Sequence, residues 1–200
     1  MFMLHLSASV LVSLLSLSAS APTADDCSQL VQYMAVDELP KILGKWILIE
    51  AFADDDLFKP IYRNIESSWL EFSTTADNQT LLLNTSTRTA PNPHQKDPCI
   101  TVNLDVTVAS GKDLEIYVTD TLSHKFLQTC PDCLIVYQKD KYQIMQLLGR
   151  TTTVADSHLE TFRKQAACLQ LHELPMFHYD TNKEKCHTGM LHSDTGLHGL

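Results

Sequence analysis

The sequence predicts a mainly β domain made of eight antiparallel strands followed by one α-helix. Short apolar runs recur at close spacing between residues 44 and 150, and turn-forming sequences such as TADNQ, ASGKD and QKDK separate them. In the stretch SHLETFRKQAACLQL the apolar period then lengthens from two residues to about 3.6. Short strands at this spacing are typical of an antiparallel sandwich or an up-and-down barrel, and the spacing does not choose between the two.

The first twenty residues are predicted to be a signal peptide, outside the folded domain. Residues 1–20 contain no Asp, Glu, Lys or Arg, and small residues follow their apolar centre. A membrane anchor is the alternative, but serines repeatedly interrupt the apolar run. We therefore expect a secreted, extracellular protein whose domain covers residues 21–186, with a flexible polar tail at 187–200.

Net charge and cysteine content narrow the class of protein further. The 200 residues include 15 Lys and Arg against 24 Asp and Glu, a formal net charge of −9, which argues against nucleic acid and anionic membranes as partners. We expect a monomer that does not insert into membranes. Six cysteines in an exported chain indicate disulfides, for which fifteen pairings are possible. The sequons at Asn78 and Asn84 predict two N-glycans.

The predicted strands follow one another without a linker or a second domain. After a short lead-in to Pro40, the first strand has the almost wholly apolar sequence GKWILIEAF. On the fifth strand, Leu114, Ile116 and Val118 share one face and Glu115 lies on the other. The eight strands are predicted at 44–52, 66–74, 80–88, 99–109, 113–119, 122–129, 133–139 and 142–150.

One amphipathic helix is predicted after the last strand. Leu159, Phe162 and Ala166 recur at helical spacing, and Leu169 completes their apolar face. Ser157 and Glu160 have the spacing of a capping box, which predicts that the helix starts at Ser157.

Two short motifs make the sequence resemble the lipocalin family. Residues 44–46 (GKW) open the first strand as the first lipocalin motif does, and residues 149–151 (GRT) close the last strand as the third motif does. The resemblance implies an eight-stranded antiparallel up-and-down barrel with the helix packed outside it. It also implies that Trp46 forms the barrel floor and that Arg150 stacks across the indole, a contact worth about 0.5–2 kcal/mol.

The C-terminal part of the chain narrows the resemblance to the orosomucoid-like lipocalins. AACLQLHELPMFHYDTNKEKC is similar to the same region of that group, and the length and tail look similar to the fish saxitoxin/tetrodotoxin-binding and tributyltin-binding proteins. The resemblance implies the disulfides Cys27–Cys168 and Cys99–Cys186, each worth about 4–5 kcal/mol in the chain-entropy model. The second lipocalin motif is poorly kept, because the corresponding loop reads TCPDC.

The remaining cysteines, Cys130 and Cys133, lie in that loop and are expected to form a short disulfide that closes a tight turn. A redox pair would need a thioredoxin-like βαβ context, and a zinc site would need a second C-x-x-C; the sequence has neither. The nine histidines fit no compact metal site, and no Ser-His-Asp arrangement can be argued from spacing. We therefore expect no metal, no cofactor and no catalytic residue.

The lining of the barrel is predicted from the alternation of strand residues. A glycan on Asn84 must point outward, so Leu83 and Thr85 would face the cavity. The same alternation puts Trp69 on the outer face of the second strand. The predicted ligand-binding residues are Leu48, Leu70, Phe72, Leu83, Thr85, Ile116, Tyr137, Met145 and Leu147, and the last two rest on the orosomucoid-like resemblance alone.

The resemblance implies a binding protein and not an enzyme. We expect it to bind, carry or sequester a small hydrophobic or amphipathic molecule, and the likeness to the fish proteins suggests a toxin or xenobiotic. One alternative is an immunomodulatory or acute-phase protein that acts through its outer surface. A second is an isomerase that uses a cavity thiolate, which would need an unpaired cysteine.

Overall fold

The eight predicted strands and the predicted C-terminal helix occur within a few residues of their expected bounds, and the structure adds three short helices and a ninth strand. The computed structural model describes residues 22–75, 80–91, 97–171 and 174–186. The predicted signal peptide and tail lie outside these residues. The strands are β1 (Gly44–Ala53), β2 (Ile65–Thr74), β3 (Thr80–Thr89), β4 (Cys99–Val108), β5 (Glu115–Thr119), β6 (Leu122–Leu127), β7 (Cys133–Lys139), β8 (Gln143–Gly149) and β9 (Phe177–His178). The helices are α1 (Ala24–Leu30), α2 (Leu39–Ile42), α3 (Phe58–Arg63) and α4 (Asp156–Cys168), with a short 3₁₀ turn at Val36–Glu38.

The first eight strands form a closed antiparallel barrel. They pair in the order β2-β3-β4-β5-β6-β7-β8-β1, and a further pairing of β1 with β2 closes the sheet on itself. The predicted up-and-down barrel with a C-terminal helix is therefore confirmed, and the sandwich is excluded. None of the helices in the described ranges is long and apolar enough to cross a bilayer.

The start of α4 differs from the prediction. The helix begins at Asp156 and its N-cap is Ala155, whose side chain makes no capping hydrogen bond. The capping box of Ser157 and Glu160 is therefore wrong, because Ser157 already lies inside the first turn. Asp156 instead places a negative charge at the positive end of the helix dipole.

Three buried clusters show how the barrel is filled and covered. The interior cluster draws at least one residue from each of the eight barrel strands, so it lies inside the barrel; it consists of Met34, Ile42, Trp46, Phe72, Leu81, Leu83, Val106, Leu114, Ile116, Phe126, Leu134, Val136 and Leu148. The helix-side cluster joins the outer face of the barrel to Phe162 and Ala166 of α4. A third cluster lies at the barrel end that carries the β1–β2 connection, and we call it the mouth cluster. It joins Tyr62 of α3 and Phe177 of β9 to Leu48, Ala51 and Ile144 of the barrel.

A bulge in β1 lets one strand serve these different surroundings. The register shifts between Leu48 and Glu50, so the alternation of faces changes after Ile49. Trp46 and Leu48 point inward before the bulge. Beyond it, Glu50 points outward toward α4 and β9, where its carboxylate meets Arg163 and His178. This is why a glutamate interrupts the apolar run of the first strand.

Three disulfides join all six cysteines in the pairs expected from the resemblance and the short loop. Cys27–Cys168 ties α1 to the end of α4, and Cys130–Cys133 lies within the β6–β7 loop. Cys99–Cys186 ties the start of β4 to the C-terminal segment. Trp69 points outward, but that segment covers it: the indole Nε1 donates to the carbonyl of Cys186 at 3.2 Å, and the side chain is only 6% exposed.

Candidate functional site

One end of the barrel is sealed by Trp46 and Arg150. The Arg150 guanidinium carbon lies 3.5 Å from the centre of the Trp46 ring, and the indole Nε1 donates to the carbonyl of Ile42 at 2.7 Å. Arg150 also donates to the carbonyls of Lys41, Leu43 and Lys45, at 3.2, 2.7 and 3.1 Å. The floor predicted from the two sequence motifs is therefore present, and the arginine fastens the N-terminal segment across it.

On β4 the inward face of the barrel is more exposed in its upper half, toward the opposite end. Val106, in the floor half of this strand, is fully buried, whereas Val102 is 41% and Ile100 is 50% exposed. Both are inward because they pair with Thr85 and Thr87 of β3, on the face that carries Leu83. The wall is low here, since β5 has five residues and pairs with β4 only near its floor end.

The same gradient runs along the neighbouring strands. Leu81 and Leu83 of β3 are buried, but Thr85 and Thr87 beyond them are only half-buried. Phe72 of β2 is buried, and the inward positions that follow it toward the mouth, Leu70 and Ser68, are half-buried. A packed floor below an accessible apolar wall is the geometry of a cup that opens at the β1–β2 end.

A strip of hydrogen-bonding side chains lines the wall on the other side of the cup. His124 pairs with Ile116 of the interior cluster, so it points inward, and the Gln138 side chain hydrogen-bonds to it. Gln146 pairs with Val136 of the same cluster, and its Nε2 donates to the Tyr62 hydroxyl at 2.8 Å. We refer to His124, Gln138, Gln146 and Tyr62 as the polar strip.

Burial changes the acid–base behaviour of two members of this strip. The loss of hydration lowers the pKa of His124, although its hydrogen bond to Gln138 partly opposes the effect. Burial raises the pKa of Tyr62 to about 12, against a smaller opposing effect of its bond to Gln146. At neutral pH the strip is therefore uncharged.

Several solved structures are similar to this chain in overall fold. The siderocalin Ex-FABP, described as functioning through dual ligand specificities, matches with a TM-score of 0.58 at 16% identity, over 70% of this chain and 95% of the other. Siderocalin Q83, described as having a dual ligand-binding mode, matches at 0.60 and 16% identity, over 76% and 96% of the two chains. Lipocalin 12 from rat epididymis matches at 0.58 and 13% identity, over 75% and 89%.

The barrel has the lipocalin fold. No protein-family model matches the sequence, and no curated protein is significantly similar to it. At these low identities the solved structures establish the fold, and the ligand has to be argued from the residues of this chain.

Six of the nine predicted lining residues lie where a ligand in a lipocalin barrel could meet them or on the floor below it. Phe72, Leu83 and Ile116 belong to the interior cluster, Leu70 packs against that cluster, and Leu48 lies in the mouth cluster. Thr85 is on the same inward face, above Leu83. Phe72, Leu83 and Ile116 are packed into the floor half, so the more accessible wall lies closer to the mouth.

The other three predicted lining residues point away from the barrel interior. Tyr137, Met145 and Leu147 belong to the helix-side cluster with Phe162 of α4. Their inward assignment is wrong because both faces of β7 and β8 are buried, one by the interior and one by the helix, so hydropathy does not alternate along these strands.

Several residues that sequence reasoning missed now lie at the site. Gln138 and Gln146 are the inward polar residues of β7 and β8, and polar residues in strands are normally assigned to the solvent face. His124 sits in the run LSHKFL, which gave no clear alternation. Tyr62 comes from α3, in the connection between β1 and β2, and no strand pattern could have placed it.

The cysteine-containing loop at the closed end has a structural role. Cys133 N donates to the carbonyl of Cys130 at 3.0 Å, which makes a tight turn, and Arg150 N donates to the carbonyl of Asp132 at 3.0 Å. The displaced second motif therefore still supports the floor through backbone contacts. Among the residues that the structure describes, no three His, Cys, Asp or Glu side chains come close enough together to hold a metal ion.

The two predicted glycan sites differ in what the structure says about them. Asn78 lies outside the described residues. Asn84 is on the outward face of β3, half-buried between Glu71 of β2 and Asn103 of β4. A glycan there would leave the barrel wall on the side away from Leu83.

Proposed function

We propose that this protein binds and carries a small hydrophobic or amphipathic molecule in its barrel. The observation that carries the proposal is the exposure gradient on the inward wall, from fully buried Val106 to half-exposed Ile100. Apolar side chains that face a barrel interior and remain open to solvent raise the free energy of the protein, and covering them would recover roughly 25 cal/mol for each Å² of apolar surface. A ligand of matching shape would supply that cover.

The proposal includes a secreted, monomeric carrier of the orosomucoid-like type that sequesters a toxin or xenobiotic. The charge-free leader, the paired cysteines and the two sequons support an extracellular site of action. Glycans on Asn78 and Asn84 form part of this proposal. Enzymatic deglycosylation of the natural protein should lower its mass by two chains, and loss of only one or none would remove that part.

An isomerase that uses a cavity thiolate has little support from the geometry. All six cysteines of the chain are in disulfides, so a thiolate would require one of these bonds to be broken first. Ligand binding without chemistry therefore accounts better for the interior. Action through the outer surface is the remaining alternative, and a protein that binds no apolar molecule would favour it.

The test is the binding of diphenylhexatriene, a hydrocarbon that fluoresces strongly only in apolar surroundings. Wild-type protein should enhance its emission saturably, and energy transfer from Trp46 should accompany binding. Val102→Trp should block the cup and abolish the enhancement. Asn103→Trp, on the outer face of the same strand, is the matched control and should bind as wild type does. Equal binding by both variants would place the probe outside the barrel.

A further inference from the structure

We propose that the ligand is an uncharged amphipathic molecule whose polar group hydrogen-bonds to the polar strip and whose apolar part lies against the inward wall of β2 to β4. This inference rests on the proposed function, because it names the class of ligand for the same cup. It goes further by assigning the two walls of the cup to the two ends of the molecule.

The first argument is the position of the strip. Gln138 of β7 pairs with Ile144 and Gln146 pairs with Val136, so the two glutamines are diagonal neighbours on the inward face, with Cα atoms about 7–8 Å apart. His124 on β6 lies beside Gln138, and the Tyr62 hydroxyl lies on Gln146. Three adjacent strands and α3 thus bring four hydrogen-bonding groups to one side of the cup.

The second argument is the capacity of these groups. Each glutamine amide has one oxygen acceptor and two N–H donors, and a neutral imidazole has one donor and one acceptor. The strip can therefore keep its internal bonds and still donate to, or accept from, a bound hydroxyl, carbonyl or amide. On the opposite wall, the hydroxyls of Ser68 and Thr87 bond to each other at 2.8 Å, and Val102 and Ile100 are apolar.

The third argument is the charge of the lining. At the inward positions of β1 to β8 there is no Asp, Glu, Lys or Arg, and His124 is the one residue there that could become charged near neutral pH. A charged head group taken into this cup would lose its hydration without gaining an opposite charge. Neutral hydrogen-bonding groups would lose less and would be paired by the strip.

The experiment displaces diphenylhexatriene from wild-type protein with three competitors that share one chain length: dodecanol, dodecanoate and dodecyltrimethylammonium. The titration is run at about pH 8, where an ordinary imidazole is neutral. Dodecanol should displace the probe at a concentration at least about tenfold lower than either charged competitor. A charged competitor that works as well as dodecanol would overturn the inference.

Variants locate the polar group. His124→Phe and Gln138→Leu should each weaken dodecanol about three- to tenfold, the range for one lost hydrogen bond. Their affinity for diphenylhexatriene should not change, which also shows that the cup is intact. Ser123→Ala, at the outward neighbour of His124, should leave dodecanol binding as it is. Undiminished dodecanol binding in both strip variants would overturn the inference, whereas wild-type protein that binds no probe at all would overturn the proposed function itself.

Discussion

Arg163 of α4 holds the buried carboxylate of Glu50 in β1 through two parallel hydrogen bonds. They run from Nε to Oε1 at 2.9 Å and from Nη2 to Oε2 at 2.7 Å, and Glu50 is 0% exposed. His178 Nδ1 lies 3.0 Å from Oε2 on the other side. The bond to Glu50 raises the pKa of Arg163 despite partial burial. Glu50 therefore holds both α4, through Arg163, and β9, through His178, against the outside of the barrel.

Removing the arginine should destabilise the protein strongly. Arg163→Met leaves a buried carboxylate with His178 alone, and we expect unfolding free energy to fall by about 3 kcal/mol, the lower end for broken buried pairs because Arg163 is half-exposed. Urea denaturation measures the change. Lys164→Met, at the adjacent exposed position of α4, is the control and should change stability by less than about 0.5 kcal/mol. Equal losses of unfolding free energy in the two variants would show that the Arg163–Glu50 pair does not stabilise the fold.

Gly44 should be intolerant of any side chain. Its φ of +86° is one that L-residues rarely adopt, and an added Cβ would lie 3.1 Å from Arg150 Nη1. We expect Gly44→Ala to cost about 1–3 kcal/mol. Gly111→Ala is the control, because its Cβ would meet only the Asp113 carbonyl at 3.9 Å and its backbone is not left-handed. Thermal unfolding of the two variants should separate clearly; matching midpoints would contradict the strain at Gly44.

Acid should weaken the fold through His124. Burial lowers its pKa in the folded state, so the unfolded chain takes up the proton first. Stability is therefore lost as the pH falls below the ordinary histidine pKa of about 6.5, until the folded pKa is reached. In urea titrations between about pH 7.5 and pH 5, His124→Gln should lose less stability than wild type. His158→Gln, on the exposed side of α4, is the control and should follow the wild-type curve. A His124→Gln curve that also matches wild type would contradict the prediction.

A charge should be tolerated near the mouth and not near the floor. Leu83 is buried in the interior cluster, so Leu83→Asp should unfold the domain or cost several kcal/mol. Val102, on the same barrel face but 41% exposed, should accept Asp at a cost of about 1 kcal/mol or less while diphenylhexatriene binding falls. Circular dichroism and urea titration report the first effect, and probe fluorescence reports the second. Equal destabilisation would mean that the upper half is packed and the cup is closed.

The sequence carries most of the fold and about half of the site. β5 could be assigned well because its outer face is wet, so Tyr117 and Ile116 differ in hydropathy as the alternation requires. The floor could be expected because two motifs, at Trp46 and Arg150, belong together in one known family. β7 could not be assigned, because Leu134 faces the interior while Ile135 faces α4, and both environments demand an apolar residue.

The polar strip could not be expected for a related reason. Gln138 and Gln146 obey the rule for solvent-facing positions and yet point into the barrel, and only the strand register reveals it. The capping box failed because the helix start is decided by the turn after β8, where Ala155 is already extended. Local sequence indicates where the strands lie, but on β7 and β8 one face is covered by the interior and the other by α4, so the sequence does not show which face is inside.

The fluorescence of Trp69 should depend on the disulfide that holds the C-terminal segment over it. The double variant Cys99→Ala with Cys186→Ala releases the segment over Trp69, so emission should shift to longer wavelength and iodide quenching should increase. The pair Cys130→Ala and Cys133→Ala, in the β6–β7 loop, should leave both properties unchanged. An unchanged spectrum in the first variant would mean that Trp69 is covered by other means, such as Lys45, whose Nζ lies 4.0 Å from its ring centre.

The floor contacts also impose an order of events on the growing chain. Arg150 bonds to carbonyls 105, 107 and 109 residues earlier, and Cys27 must wait for Cys168, 141 residues later. During synthesis the hairpins of β2, β3 and β4 have all their partners early, whereas Trp46 stays uncovered until β8 has emerged. A nascent chain that stalls before β8 would therefore leave the Trp46 ring without the guanidinium that covers it in the finished barrel.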